Sequence, residues 1–140
     1  MDHILNRFGA GLDLVVRLLL AQIFIIAGAG KISGYAGTQS YMEAFGVPGE
    51  LLPLVIIAEL GGGLPLAAGL LTRWVALALA GFTLVSALIF HFDFAEQAQM
   101  IAFMKNVAIT GGLLLLVRHG AGRFSLDGWR HEPEHAPSRA

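Results

Sequence analysis

Residues 51–91 read LLPLVIIAELGGGLPLAAGLLTRWVALALAGFTLVSALIFH, and Glu59, Arg73 and His91 are the only ionisable side chains in that stretch. It divides into two apolar runs, 51–71 and 73–91. Each is about 20 residues, enough to cross ~30 Å of hydrocarbon at 1.5 Å per residue. Lipid offers no hydrogen-bond partner to a bare peptide group, so such runs are expected as helices. The connection between them is so short that they must form an antiparallel hairpin. Outward from this hairpin lie two more runs: 12–30, interrupted by Asp13, Arg17 and Gln22, and 99–117, containing Lys105 and Asn106. The fold expected is therefore all-α, an integral membrane four-helix transmembrane bundle within a single membrane domain over 1–140, with a polar tail at 118–140.

Composition agrees. Hydrophobic residues make up 56% of the chain and 18 of its 140 positions are glycine, well beyond the ~45–50% apolar plus glycine of soluble domains. A net charge of -1 without a basic run speaks against nucleic-acid binding. With no cysteine, the chain has no means of disulfide exchange, iron–sulfur ligation or thiolate metal binding. Arg7, Arg73, Arg118, Arg123, Arg130 and Arg139 fall on one side of a four-span topology and only Lys31 on the other, which places both termini in the cytoplasm. A cleaved leader ending in the small residues Ala27–Gly30 is disfavoured by Asp13 and Arg17 within its apolar region. In the outer loop, 31–50, residues 38–45 are expected as a short interfacial helix, with Ser40 and Glu43 spaced as a capping box.

Polar residues within the spans are the informative positions, because a charge near a helix centre costs ~2.5–3.5 kcal/mol on insertion scales and usually faces the bundle interior. At 100° per residue, Asp13, Arg17, Ala21, Gly28 and Lys31 share one stripe, and Glu59, Gly62, Gly63 and Leu66 another. Ala80, Leu84, Ala87 and His91 form a third, and Ala98, Ala102, Lys105, Ala108 and Gly112 a fourth. Glu59 lies about 12 Å below the outer end of its span and Lys105 about 9 Å. Lys31, Glu59, His91, Lys105 and Asn106 are thus expected to converge in the outer half of one bundle, with Arg17 approaching Glu59 from below. Two readings stay open: a Glu59–Lys105 ion pair that only fixes helix register, or a functional cluster that binds a polar headgroup or moves protons. Arg17 has a local alternative in Asp13 at i,i+4. Pro65 removes the hydrogen bond to Gly61 and is expected to kink the second span. The string His131-Glu132-Pro133-Glu134-His135 matches HExxH, but a proline inside it denies it the helix that zinc ligation needs. No metal site is expected.

Arg17-Leu18-Leu19-Leu20-Ala21-Gln22-Ile23-Phe24 followed by Gly28 and Lys31 resembles the first span of DoxX-family membrane proteins. Glu59-Leu60-Gly61-Gly62-Gly63-Leu64 with Gly69 resembles the second. Phe90-His91, Lys105-Asn106-Val107-Ala108 and Gly111-Gly112-Leu113-Leu114 resemble the last two. The resemblance covers about residues 12–117 and implies a bacterial inner-membrane protein of four helices, linked to quinol oxidase, to thiosulfate:quinone oxidoreductase or to redox complexes that answer oxidative stress. By position it implies polar hallmarks at Arg17, Lys31, Glu59, His91, Lys105 and Asn106.

On this reading Glu59 and Lys105 are the candidate catalytic residues, and Arg17, Lys31, His91 and Asn106 the candidate ligand-binding ones. The first function expected is a quinone-interacting membrane subunit, with quinone as the cofactor although no motif encodes it. Because His91 is the only histidine near a span, one chain offers no pair of intramembrane haem ligands, so a partner protein must supply or accept electrons. Two other readings remain open: a non-catalytic membrane anchor or assembly subunit acting through the tail, and a small transporter or proton pathway, which four short helices would form as a homo-oligomer.

Overall fold

A computed structural model describes the backbone of residues 2–131 and the side chains of residues 8–130. The elements in order are α1 (Asp2–Ser33), α2 (Tyr35–Ala44), a 3-10 turn (Gly49–Leu51), α3 (Leu52–Ala68), α4 (Thr72–Phe90), α5 (Gln97–His119) and α6 (Leu126–His131). Four helices are long and apolar enough to cross a membrane: Phe8–Ser33, Gly49–Ala68, Thr72–Phe90 and Gln97–His119. Each expected span is present, and α1 and α5 run past their expected ends. The short helix occupies 35–44 rather than 38–45 and begins from Gly34. Ser40 is therefore mid-helix, where its hydroxyl donates to the Ala36 carbonyl at 3.2 Å instead of capping a helix end. α3 continues through Pro65.

The helices pack as two close pairs, α1 with α3 and α4 with α5, joined by a lighter α3–α4 seam and a slight α1–α5 contact. Glycine makes the close approaches. A Cβ at Gly28 would lie 2.8 Å from Leu60 Cγ, one at Gly63 3.1 Å from the Ile25 backbone nitrogen, and one at Gly62 2.6 Å from Leu79 Cδ2. In lipid there is no apolar driving force between helices, so close backbone packing at small residues carries the association. A core of Ala21, Phe24, Leu66, Ala76, Leu79, Ala80, Leu113 and Leu116 fills the half of the bundle nearer α6. Leu19, Ile26, Ile57 and Leu115, all more than 60% exposed, face outward as a bilayer requires.

The polar tail is an unexpected part of the fold, because residues 120–131 fold back onto the bundle. Arg17, 1% exposed, donates Nε to Ala67 O at 3.2 Å, Nη1 to Ala121 O at 2.5 Å and Nη2 to Phe124 O at 2.7 Å. One cation thereby serves the carbonyl end of α3, where the helix dipole favours it, and two carbonyls of the returning loop. It bonds backbone oxygens here, neither approaching Glu59 nor pairing with Asp13. Asp127 completes the clamp. Its carboxylate accepts the amides of Leu71 and Thr72, each at 2.8 Å, and its own amide donates to Gly69 O at 2.9 Å. Asp127 so acts as the N-cap of α4 from 55 residues away. The turn it holds is demanding: Gly69 and Leu71 both have positive φ, 70° and 49°, unusual for leucine. Beyond the backbone of His131, the HExxH-like string lies outside the described residues.

Arg17→Met should leave four spans in place but free residues 120–131. The cost is about 3 kcal/mol, given that a hydrogen bond to a charged group contributes ~1.5–3 kcal/mol; protease sensitivity within 120–130 and thermal unfolding in detergent measure it. Burial alone would raise the Asp127 carboxyl, but the donors of Thr72 and Leu71 and the charge of Arg130 outweigh it and hold the group below its ordinary value. Its contribution is therefore complete above the ordinary aspartate pKa of ~3.9 and is lost as pH falls through the lower folded value. Hydrogen exchange at the Leu71 and Thr72 amides should accelerate only in that acid range, and Asp127→Asn should remove the dependence.

Candidate functional site

Glu59 sits in the middle of α3 and is 6% exposed. Lys31, in the last turn of α1, reaches it with Nζ 2.9 Å from Oε1. The local sequence explains how two helices bring these groups together. Gly28 is three residues before Lys31 on the same face, and a Cβ there would press on Leu60 and lie 3.2 Å from Glu59 Cβ. The missing side chain lets α3 settle against α1 with the carboxylate under the ammonium. Lys31 is part-exposed, so its stem covers apolar surface while its head remains near the membrane boundary. The second oxygen, Glu59 Oε2, is buried and has no hydrogen-bond partner among the described residues. An unmatched buried carboxylate oxygen is costly and marks a place where a donor is due.

Glu59 forms part of the wall of a cavity of about 260 Å³ in the half of the bundle opposite α6. Five helices contribute. α1 supplies Phe24, Ala27 and Lys31, α2 supplies Thr38, Tyr41 and Met42, and α3 supplies Val55 beside Glu59. α4 supplies Phe82, Thr83, Ser86 and Phe90 with His91 just beyond its end, and α5 supplies Lys105, Asn106 and Ile109. Tyr41, Phe45 and Phe90 pack as an aromatic group with ring centroids 4.9, 5.7 and 5.4 Å apart, tying α2 to the end of α4. His91 Nδ1 is 2.8 Å from Gln99 Oε1. With that oxygen as acceptor Nδ1 carries the hydrogen, which leaves Nε2 as the acceptor of the neutral ring.

The structure thus brings Lys31, Glu59, His91, Lys105 and Asn106 around one cavity, and leaves Arg17 at the opposite end in the clamp. Two expectations change. Glu59 pairs with Lys31 and not with Lys105, which is exposed and at the cavity's edge. The stripe Ala98, Ala102, Lys105, Ala108 and Gly112 is not the buried face of α5, which instead buries Thr110, Leu113 and Leu116. The larger apolar side chains of Leu113 and Leu116 fill the core better than alanine would, and rotate Lys105 to the flank. The third stripe shifts similarly, to Thr72, Ala76, Leu79, Ala80, Thr83 and Ala87, with Leu84 41% exposed. Sequence reasoning missed Thr38, Tyr41, Met42, Thr83 and Ser86 as cavity residues. The available signal was Thr83, Ser86 and Phe90 at helical spacing on one face of α4.

Residues 12–92 match the protein family described as DoxX. The chain is 58% identical over 114 residues to inner membrane protein YqjF of Escherichia coli (strain K12), covering 81% of this chain and 88% of that one. It is 38% identical over 130 residues to inner membrane protein YphA of the same organism, covering 86% and 93%. No solved structure matches it.

The two halves of the Lys31–Glu59 pair should differ in what their loss costs. Lys31→Met strands a buried carboxylate and should destabilise by about 3–5 kcal/mol. Glu59→Gln leaves a lysine that reaches the interface and should cost less than half of that. Thermal unfolding of both variants and of the double variant in one detergent tests the order; equal losses would mean that the ammonium is as trapped as the carboxylate.

Proposed function

The chain belongs to the DoxX family and is an inner-membrane protein, and on that premise we propose that it is a quinone-interacting membrane subunit of a bacterial redox complex. The observation that carries this reading is Glu59 Oε2, a buried carboxylate oxygen without a donor among the described residues, in the wall of a cavity that combines aromatic and aliphatic surface with a few polar side chains. The residues present fit a quinone headgroup. Its flat ring offers carbonyl acceptors at opposite edges, and Lys31, Asn106 and Ser86 present donors from α1, α5 and α4. Phe24, Tyr41, Phe82 and Phe90 give it aromatic walls. A volume of about 260 Å³ falls just under the ~300–1,000 Å³ of drug-sized sites, and so suits a single ring rather than a nucleotide.

A bound quinone supplies two-electron, two-proton chemistry; the chain's residues bind and orient its head and handle protons. Lys31 holds Glu59 Oε1 and steadies the charged form, while Oε2 stays available to hold a proton or release it. The part-exposed Lys31 side chain is the cluster's link to the membrane boundary. Electrons come from a partner protein, because the chain has no cysteine and its two span-end histidines, His91 by the cavity and His119 beside the α3–α4 turn, stand at opposite ends of the bundle and so offer no haem a pair of ligands. With the arginine-rich side cytoplasmic, the cavity belongs to the periplasmic half of the bundle. The docked loop favours this reading over a tail-borne anchor, since the carbonyls of Ala121 and Phe124 and the carboxylate of Asp127 are engaged within the chain.

Purified protein in phosphatidylcholine nanodiscs should bind a tail-less benzoquinone stoichiometrically. Asn106→Leu should weaken benzoquinone binding roughly tenfold, as one stranded polar edge, and Glu59→Gln should weaken binding of the corresponding hydroquinone, whose hydroxyl donates to Oε2, roughly 10- to 100-fold, as one hydrogen bond to a charged group. Equilibrium dialysis with optical readout of the quinone measures this. A protein that does not bind the probe, or variants that bind it undiminished, would exclude the reading and leave the anchor role.

A further inference from the structure

A second hollow adjoins the cavity. It is a groove on the outer surface between α3 and α4, running from Ala58 and Gly81 up to Leu51 and Ile89. α3 and α4 meet where Gly62 receives Leu79, and the groove begins one turn beyond that contact, toward α2. Met42, Val55, Phe82, Ser86 and Phe90 line both groove and cavity, so one layer of side chains separates the headgroup space from the lipid-facing surface. Among groove-lining residues Ser86 alone is polar, and its hydroxyl has no hydrogen bond among the described residues. That hydroxyl stands at the junction of the two hollows. Along α4 the groove runs from Gly81 to Ile89, eight steps or about 12 Å at 1.5 Å per residue. One leaflet of a ~30 Å hydrocarbon core has a comparable depth.

We propose that this groove is the lateral entrance to the cavity and seats the hydrocarbon tail of the amphiphile whose head the cavity takes. The inference rests on the headgroup reading above and narrows its substrate class to membrane-dissolved, long-tailed molecules that arrive from the bilayer between α3 and α4. The shared wall names this occupant: a tail leaving the headgroup space past Val55, Phe82 and Ser86 crosses one layer of side chains into the groove. The groove's walls carry no charge, so a soluble, ionic solute finds no partner along it. Met42 and Phe90 are the side chains at the boundary, and the flexible thioether of Met42 gives way without moving backbone.

Gly81 provides a clean test. A Cβ built there meets nothing within 4 Å, so Gly81→Phe fills the groove without displacing the protein, and an aromatic residue is a better helix former than glycine. Gly111→Phe, equally open on α5, is the control. In phosphatidylcholine nanodiscs, Gly81→Phe should weaken binding of a decyl-tailed benzoquinone by about tenfold or more and leave the tail-less benzoquinone within about twofold, while Gly111→Phe changes neither; tenfold corresponds to ~1.4 kcal/mol. A decyl benzoquinone with a photoreactive group at the tail end should label Leu54, Val85 or Ile89. Undiminished decyl binding by Gly81→Phe, or labelling at Ile23 and Ile109 between α1 and α5, overturns the entrance and leaves the headgroup reading standing. Failure of the wild type to bind either probe removes both. Disulfide-linked dimers through Gly81→Cys in native membranes would show a second copy seated in the groove and would also overturn the proposal.

Discussion

A bilayer gives helices no hydrophobic reason to prefer one another over lipid, so this bundle depends on how closely a few backbones approach. The decisive approach is that of α1 to α3. Gly28 and Gly63 remove the side chains that would hold the two axes apart, with built Cβ atoms 2.8 to 3.1 Å from Leu60 and Ile25. That proximity lets Lys31 reach a carboxylate deep in the neighbouring helix. A leucine at either glycine would separate the pair and leave an anion in hydrocarbon, so packing and electrostatics have a single cause here. The ion pair is a result of the glycine contact more than a source of stability, since desolvation offsets much of what a buried pair gains.

The bundle is unevenly filled. Toward α6, Leu66, Leu79, Leu113 and Leu116 interlock with alanines and Phe24, and Arg17 closes the end. Toward α2, the same four helices surround the cavity. A dense half fixes helix positions, and a hollow half has polar side chains placed by those positions. The arrangement suits a site whose geometry must be held while a head group enters and leaves.

Much of this was legible in the chain. Charge spacing alone separated four spans, because hydrocarbon thickness sets one length for all of them. The stripe Arg17, Ala21, Gly28 and Lys31 was readable from helical period, and so was the gathering of Lys31, Glu59, His91 and Asn106 at one depth. Which cation meets Glu59 was not legible. Period fixes a residue's direction relative to its own helix, whereas the pairing depends on which helices are neighbours and how each is rotated. Lys105 lost to Lys31 because leucines at 113 and 116 decided the rotation of α5. The tail clamp was hidden for another reason. Arg17 binds main-chain carbonyls, and a carbonyl acceptor at Ala121 or Phe124 has no side-chain signature.

The cap on α4 has a consequence for biosynthesis. Asp127 is made 55 residues after the Thr72 amide it receives, so the α3–α4 hairpin enters the membrane with the start of its second rod unsatisfied. Only when the ribosome has delivered the fourth rod and the loop after it does that end acquire its anion. Arrival of Asp127 and closure of the hairpin are then coupled, and a nascent product halted before Asp127 presents open Leu71 and Thr72 amides. Those exposed groups distinguish an unfinished molecule from a finished one for any surveillance protease working at that face.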